Sequence, residues 1–441
     1  MTAFDPAAEP PAPLQHTVFR DHPLRRQLTN EVHARPPEAL AAPMRVTLLA
    51  MLSGENGAEA ERRHLAQLCD AMGAPPPSPG ATHYAGSFGS FRLKWERHTE
   101  FSTWTVFRSG AHGEPFTDPA IRAMPRDWVA GLPGERLVGV HVLLLDAEQP
   151  EPSAGLLNHI FGSESYVGSR IAGRAATVWT DFRIHGDGYS RIVLVDHTLT
   201  PRQGGRLIQR LLEIETYRMT ALLALPVARE ILPRVAAVEK QLADLTARTN
   251  SLNGLEDERD VLDQLTRLMA EVEEVSAANA FRFGASRAYF QLVDKRIAEL
   301  RETRIEGLQT ISEFMERRLS PALATCNAVE SRVEALSRRV ARVSALLRTR
   351  VEIAVEGQNA ELLKSMDRRA DLQLRLQETV EGLSVVAISY YLVGIIGYAA
   401  KGAKGAGLPI NADLVSGLMI PVVLWFVWTG VRRIRKVLME H

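Results

Sequence analysis

Hydrophobic and polar positions divide the chain into three regimes. Between residues 21 and 200 apolar residues come in runs of strand length. Arg45 to Leu52 (RVTLLAML) reads as a buried strand, Ala58 to Met72 as a helix, and Ala74 to Gly80 (APPPSPG) as a rigid break. Phe88 to His98 and Glu100 to Arg108 alternate, are rich in aromatic and β-branched residues, and predict a hairpin. Further strands are expected at Arg136 to Leu145, Arg174 to Ile184 and Ser190 to Val195. Strands mixed with few helices predict an α+β domain over 21–200, behind a Pro- and Ala-rich tail over 1–20.

After Pro201 the pattern turns helical. A helical layer is expected over 201–321: Arg206 to Leu225 runs into Pro226 and Pro233, helical text resumes through Leu252 and from Asp257 to Ala280, and a helix from Ser286 to Leu319 stops before Pro321. A stalk helix follows over 322–382. In it Val329, Val333, Leu336, Val340, Val343 and Leu347 fall at spacings of 4, 3, 4, 3 and 4, the heptad rhythm of a helix packed on a partner. The rhythm slips to fours at Val351 and Val355, just before Gly357. No Pro stands between Ala322 and Ala400, which predicts one helix of about 79 residues, on the order of 120 Å. A bent helical hairpin folded onto itself is the alternative for the upper half of the stalk.

The third regime is apolar. Leu383 to Ala400 and Leu414 to Val431 each run 18 residues without a charge. Each covers roughly 27 Å as a helix, enough to cross a bilayer core of about 30 Å with snorkelling flanks. Tyr390, Tyr391, Tyr398, Trp425 and Trp428 are placed for the interfaces. The expected order is a first transmembrane helix over 383–400, a short non-cytoplasmic loop over 401–413, a second over 414–431 and a basic cytoplasmic tail over 432–441. Arg368, Arg369 and Arg375 before the hairpin and Arg432, Arg433, Arg435 and Lys436 after it outweigh Lys401 and Lys404 in the loop, so both termini are expected to face the cytoplasm. The opening MTAFDPAAEPPAP has no basic start or apolar stretch, so no export of the first 380 or so residues is expected.

Charge and cysteine content narrow the classes. Fifty-two Lys and Arg offset 52 Asp and Glu among 441 residues, which argues against a nucleic-acid binder. Cys69 and Cys326 are far apart and lack metal-ligand spacing, so two structural thiols in a reducing compartment are expected. Gly397 and Gly402 have the separation of a phosphate-binding loop, but Ala403 and Lys404 follow; Gly284, Ser286 and Ala288 only approach a nucleophile elbow, in helical text. With no nucleophile and base pair and no metal motif, neither an enzyme nor a resident cofactor is expected.

Two polar clusters remain. His22, Asn30, Glu31, His33 and Arg35 precede the first strand; His22, Glu31 and His33 form a candidate ligand or metal cluster, with helix capping and loop contacts as the alternative. Lys94, Glu96, Arg97, His98 and Glu100 alternate with Trp95 and Phe101, which predicts a solvated strand face.

The stretches HPLRRQLTNEVHARPPEAL, KWERHTEFSTWTVF, RLLEIETYRMTALLALPVAR, the long run from LLRTRVEIAVEGQNAELL to SYYLVGIIGY, and the closing RRIRKVL resemble a bacterial family of predicted membrane-anchored proteins, domain of unknown function 3422. That resemblance implies an inner-membrane protein and supplies no catalytic residues. The order of parts also resembles, at the level of architecture, the CorA-type magnesium channels: α/β head, helical layer, long stalk helix continuing into the first of two C-terminal spans, basic tail. That resemblance implies a homo-oligomer whose first spans surround a pore. The channels' Gly-Met-Asn tripeptide should follow the first span, where this chain reads GYAAKGAKGAGLPIN.

The expectation is thus an α+β cytosolic head, a long coiled-coil stalk and a two-helix transmembrane hairpin of CorA-like architecture. The first functional reading is an oligomeric membrane tether, scaffold or ligand-sensing module that binds a cytosolic protein or small ligand. The alternative is an ion channel without the known filter, with Ser384, Ser389, Tyr390 and Tyr391 facing a pore and Lys401 and Lys404 at its mouth.

Overall fold

The structure, a computed structural model, describes residues 21–26, 28–29, 36–110, 113–148, 151–249, 251–252, 254–406, 409 and 411–438. In chain order its elements are β1 (Met44–Leu52), α1 (Ala58–Met72), β2 (His83–Ser87), β3 (Arg92–Arg97), β4 (Ser102–Ser109), α2 (Arg126–Ala130), β5 (Glu135–Leu145), α3 (Ala154–Phe161), β6 (Val167–Ile171), β7 (Ala176–Thr180) and β8 (Ser190–Asp196). Then come α4 (Pro201–Leu222), α5 (Ala224–Thr249), α6 (Leu255–Leu300), β9 (Thr303–Arg304), α7 (Ile311–Arg318), α8 (Ser320–Gly405) and α9 (Ala412–Leu438). The chain divides into two compact units, Met1–Ala243 with Arg267–Val340, and Asp244–Thr266 with Ala341–His441.

The nine strands among the described residues form one sheet in the order β2-β3-β4-β1-β5-β8-β7-β6-β9, antiparallel except where β5 meets β8. The predicted strand and hairpin appear as β1 and as β3 with β4. Alternation sends successive side chains to opposite faces. Val46, Leu48 and Ala50 of β1 and Val140, Val142 and Leu144 of β5 pack under Leu207, Ile208, Leu211 and Leu212 of α4. Leu49 and Met51 turn the other way, toward Leu65, Leu68 and Cys69 of α1, while Leu143 and Leu145 meet Leu157, Ile160 and Phe161 of α3. The sheet is therefore a middle layer, buried on both faces. Cys69 and Cys326 are both buried free thiols.

Several elements differ from the sequence pattern. Text read as one strand over Arg174 to Ile184 ends as β7 at Thr180 and pairs with β6, whose VGSRI carries no alternation to announce it. The helical text from Asp257 to Ala280 and from Ser286 onward is one helix, α6, which passes through Gly284. That helix stops at Leu300 rather than reaching Leu319, because Glu302 takes the chain elsewhere. Its carboxylate accepts from Ser169 Oγ at 2.6 Å and from the backbone N–H groups of Ile311 and Ser312 at 2.9 Å each. It thereby ties β9 to the sheet edge and caps α7, whose own capping box joins Thr310 and Glu313.

The heptad stripe also has an explanation within the chain. Val329, Val333, Leu336 and Val340 of α8 are buried, and Val333 and Leu336 share a pocket with Val235 and Val238 of α5 and Val272 and Val275 of α6. Arg332 pairs with Glu239 at 2.6 Å and Arg287 with Glu330 at 2.6 Å on the flanks of this bundle. A second copy is not needed to cover these residues.

In the other unit, Arg350 donates to the Thr249 carbonyl at 3.1 Å, and Leu347 is buried. Beyond it α8 presents Leu362, Leu363, Met366, Leu372 and Leu376, each more than half exposed. The apolar windows near the end of α8 and in α9 are long and apolar enough to cross a membrane. Their mean hydropathies are 1.8 and 2.0, and only 11% and 6% of them is buried within the chain. Two helices of this length and composition suggest membrane association. A side chain added at Gly397 would lie 3.1 Å from Ser416 Oγ, so the two helices approach each other there.

Candidate functional site

The face of the sheet that α4 covers changes character along the strand order. Over β1, β5 and β8 it is aliphatic. Over β3 and β4 the same face carries Arg92, Lys94 and Glu96 on one strand and Thr103, Thr105 and Phe107 on the other, brought into register by the antiparallel pairs Lys94 with Thr105 and Glu96 with Thr103. Between this polar strip and α4 lies a cavity of about 260 Å³.

Its floor is made by buried residues: Thr103 and Thr105, Leu48 of β1, Phe101 and Phe107, and Ile208, Leu212 and Thr216 of α4. Its rim is made by half-buried ones: Glu38, Glu96 and His98 from the sheet side, and Gln209, Glu213 and Tyr217 from α4. The alternation that predicts a solvated face for Lys94 and Glu96 thus lines an interior wall instead. Lys94 is only 8% exposed. Its Nζ lies 2.9 Å from Glu96 Oε1 and donates to the Pro36 carbonyl at 3.3 Å. Such a pairing is what a buried ammonium requires.

The other carboxylates are also anchored. Glu38 Oε2 accepts from Arg92 at 2.7 Å. Glu213 Oε1 accepts from Gln209 Nε2 at 2.8 Å, and its Oε2 pairs with Arg296 of α6. Tyr217 stands with its ring centroid 5.7 Å from that of Tyr289, itself 6.1 Å from Phe101, so an aromatic column borders the cavity. Burial pushes the Tyr217 phenol well above the ordinary tyrosine range, and the charges of Glu213 and Glu96 push it further against the opposing effect of Arg296. The hairpin tip is fixed by Glu100, which accepts from both terminal nitrogens of Arg282 at 2.7 and 3.0 Å.

The wall at residues 36–40 depends on two glycines. Where the segment crosses α4, a Cβ on Gly204 would sit 2.8 Å from the Leu40 carbonyl oxygen, and one on Gly205 would overlap the Glu38 carbonyl. Only glycine lets backbone approach a helix this closely. Leu40 N–H then donates to the Pro201 carbonyl at 2.9 Å, which holds Glu38 at the rim.

A second polar cluster behind the sheet serves the fold. Glu61 of α1 is fully buried and accepts from Trp95 Nε1 at 2.9 Å, Arg97 at 3.0 Å and Ser102 Oγ at 3.0 Å, with Ser53 as a fourth donor. Both oxygens of that carboxylate are engaged by these interior donors, as a buried carboxylate requires.

Of the residues singled out from sequence, His22 is exposed and its Nδ1 accepts from Leu24 N–H at 3.2 Å; Glu31 and His33 lie outside the described residues. Among the described residues no group of three His, Cys, Asp or Glu side chains is placed to hold a metal ion. Ser384 is half-buried and donates to the Val380 carbonyl at 2.8 Å. Ser389 is buried, with its hydroxyl unpaired, whereas Tyr390 and Tyr391 are 77% and 71% exposed. Lys401 and Lys404 are exposed at the end of α8. The structure therefore separates Ser389 from its tyrosine neighbours. The cavity itself combines residues from positions 38 to 217, of which only Lys94, Glu96, His98 and Phe101 drew attention in the sequence.

No curated protein matches the chain. A family described as "protein of unknown function (DUF3422)" matches it over residues 20–438. Since that match takes in the sheet, the helical bundle and both apolar helices, the chain belongs to the DUF3422 family.

Proposed function

We propose that the protein is a membrane-anchored ligand-binding module. Its sheet domain receives a small amphipathic molecule in the cavity under α4, and the apolar ends of α8 and α9 cross the bacterial inner membrane as a hairpin with both termini cytoplasmic. The observation that carries this reading is the cavity: a strand face built of Lys94, Glu96, Thr103 and Thr105 is enclosed by a helix yet not filled by side chains. Pockets with an apolar floor and a few convergent polar groups are the usual form of small-molecule sites. The anchor is supported by the two exposed apolar windows and by Arg432 and Arg433 after the second, which favour the cytoplasmic side. Binding rather than catalysis is assigned, and a resident cofactor is not part of the reading.

The test is a thermal-shift screen of the full-length protein in nanodiscs against a panel of small metabolites, beside a Thr105→Trp variant that fills the cavity. Stabilisation of the wild type by some compound, lost in the variant, is expected. A wild type that no compound stabilises, or stabilisation that persists in the variant, would contradict the reading.

A second reading is a homo-oligomeric ion channel of CorA-like plan, in which α8 segments surround an axis. The observation that favours it is that the helix α8, Ser320–Gly405, contains an apolar window long enough to cross a membrane. Reconstituted protein that passes no mono- or divalent ion beside a conducting control would remove it.

A further inference from the structure

We infer that the cavity under α4 selects an organic ammonium: a primary amine on a flat apolar body, the amine held at the carboxylate rim and the body on the Phe101 and Phe107 floor. This rests on the ligand-binding reading above and names the class of ligand. Among the described residues the rim presents three carboxylates, Glu38, Glu96 and Glu213, and the His98 imidazole, against a single lining ammonium, Lys94, which is already committed to Glu96 and to the Pro36 carbonyl. Arg92 and Arg296 balance the other two acids from outside the lining, so the site is not a bare acidic patch but a set of oriented acceptors. Glu38 accepts from Arg92 through Oε2, and Oε1 is the Glu96 oxygen nearest the Lys94 ammonium.

An incoming –NH₃⁺ supplies three donors for such oxygens. A carboxylate ligand would face these acceptors with no uncommitted Lys or Arg among the described lining residues, which costs desolvation without return. Deeper in, aromatic rings and leucines accept a flat apolar body, and ring faces add attraction for a cation near the rim.

The test is isothermal titration of the full-length protein in nanodiscs with three matched probes: tryptamine, tryptophol and indole-3-propionate. A charge-assisted hydrogen bond in a partly buried site corresponds to at least about tenfold in affinity. Tryptamine is therefore expected to bind at least about tenfold more tightly than tryptophol, with indole-3-propionate weakest. Glu96→Gln should reduce that preference, and Glu38→Gln, which leaves the buried Lys94 pair intact, should do so without affecting folding. Preference for tryptophol or the acid, abolished by Thr105→Trp, would overturn the ammonium assignment while sustaining the cavity reading. Absence of heat with all three probes would overturn the assignment and count against the cavity reading as well.

Discussion

Replacing Gly205 by Ala tests how the cavity wall is built, because two opposing effects of known size meet at one residue. In a helix interior Ala is favoured over Gly by about 1 kcal/mol. At Gly205, however, the new Cβ overlaps the Glu38 carbonyl, backbone that cannot rotate aside, whereas ordinary contacts begin near 3.4 Å. The segment at 36–40 must retreat by at least about 1 Å, and overpacking of this kind costs about 1–3 kcal/mol. Retreat also breaks the Leu40 to Pro201 hydrogen bond, worth about 1 kcal/mol net. The sum predicts destabilisation by about 1–3 kcal/mol, a fall of several degrees in the unfolding midpoint. Gly284→Ala is the control, since its Cβ meets nothing within 4 Å in the middle of α6, and it should gain about 1 kcal/mol. Thermal unfolding of the full-length protein in detergent reads both. If Gly205→Ala is as stable as Gly284→Ala, the close crossing of 36–40 over α4 is wrong.

Burial of His141 between Thr47 and the Tyr189 ring depresses its pKa to about 4, with Arg191 and Arg136 acting in the same sense and Asp187 against it. The unfolded chain therefore takes the proton first, so stability falls as pH drops from 6.5 toward 4, by roughly 3 kcal/mol in all. A His141→Gln variant should lack this loss, and its stability deficit relative to wild type should shrink between pH 7.5 and 4.5 in thermal unfolding. Glu61→Ala strands Arg97 and the Trp95 N–H in the interior and is expected to cost about 3–5 kcal/mol, measured in the same assay. Leu336→Ala in the buried stripe should cost about 2–5 kcal/mol and leave the particle mass by mass photometry unchanged, because its neighbours belong to the same chain. Leu372→Ala, at a position 65% exposed in this chain, should leave the unfolding midpoint nearly unchanged.

Much of the architecture was legible because period and length are local properties. Apolar RVTLLAML, the alternating hairpin and the Pro-free run before Ala400 correspond to β1, to β3 with β4, and to α8. What a period does not encode is the identity of the partner. The 4-3 spacing of Val329 to Leu347 announces a buried stripe, and the same spacing serves for packing on α5 and α6 as for packing on another copy. For Lys94 and Glu96 the alternation is the same whether water or α4 covers the face, and α4 arrives some hundred residues later in the chain. The available signal was the Gly204–Gly205 pair inside strongly helical text, which marks a close backbone crossing, together with Thr103 and Thr105 facing the same way as Lys94. β9, two residues long, has no pattern to read; it follows from Glu302 and from the register of Thr303 with Arg170.

A ligand reaching the space between β3–β4 and α4 meets residue 105, which lines it. The most direct test of that access is a cysteine at Thr105 in the full-length protein, whose own Cys69 and Cys326 are buried. The rate of its modification by a small water-soluble thiol reagent would be measured with and without tryptamine. Modification of the folded protein at this position, well above the rate of the native thiols and slowing as tryptamine is added, is the expected result. A thiol at 105 that stays as inert as Cys69, or one whose rate tryptamine leaves unchanged, would contradict ligand access to this cavity.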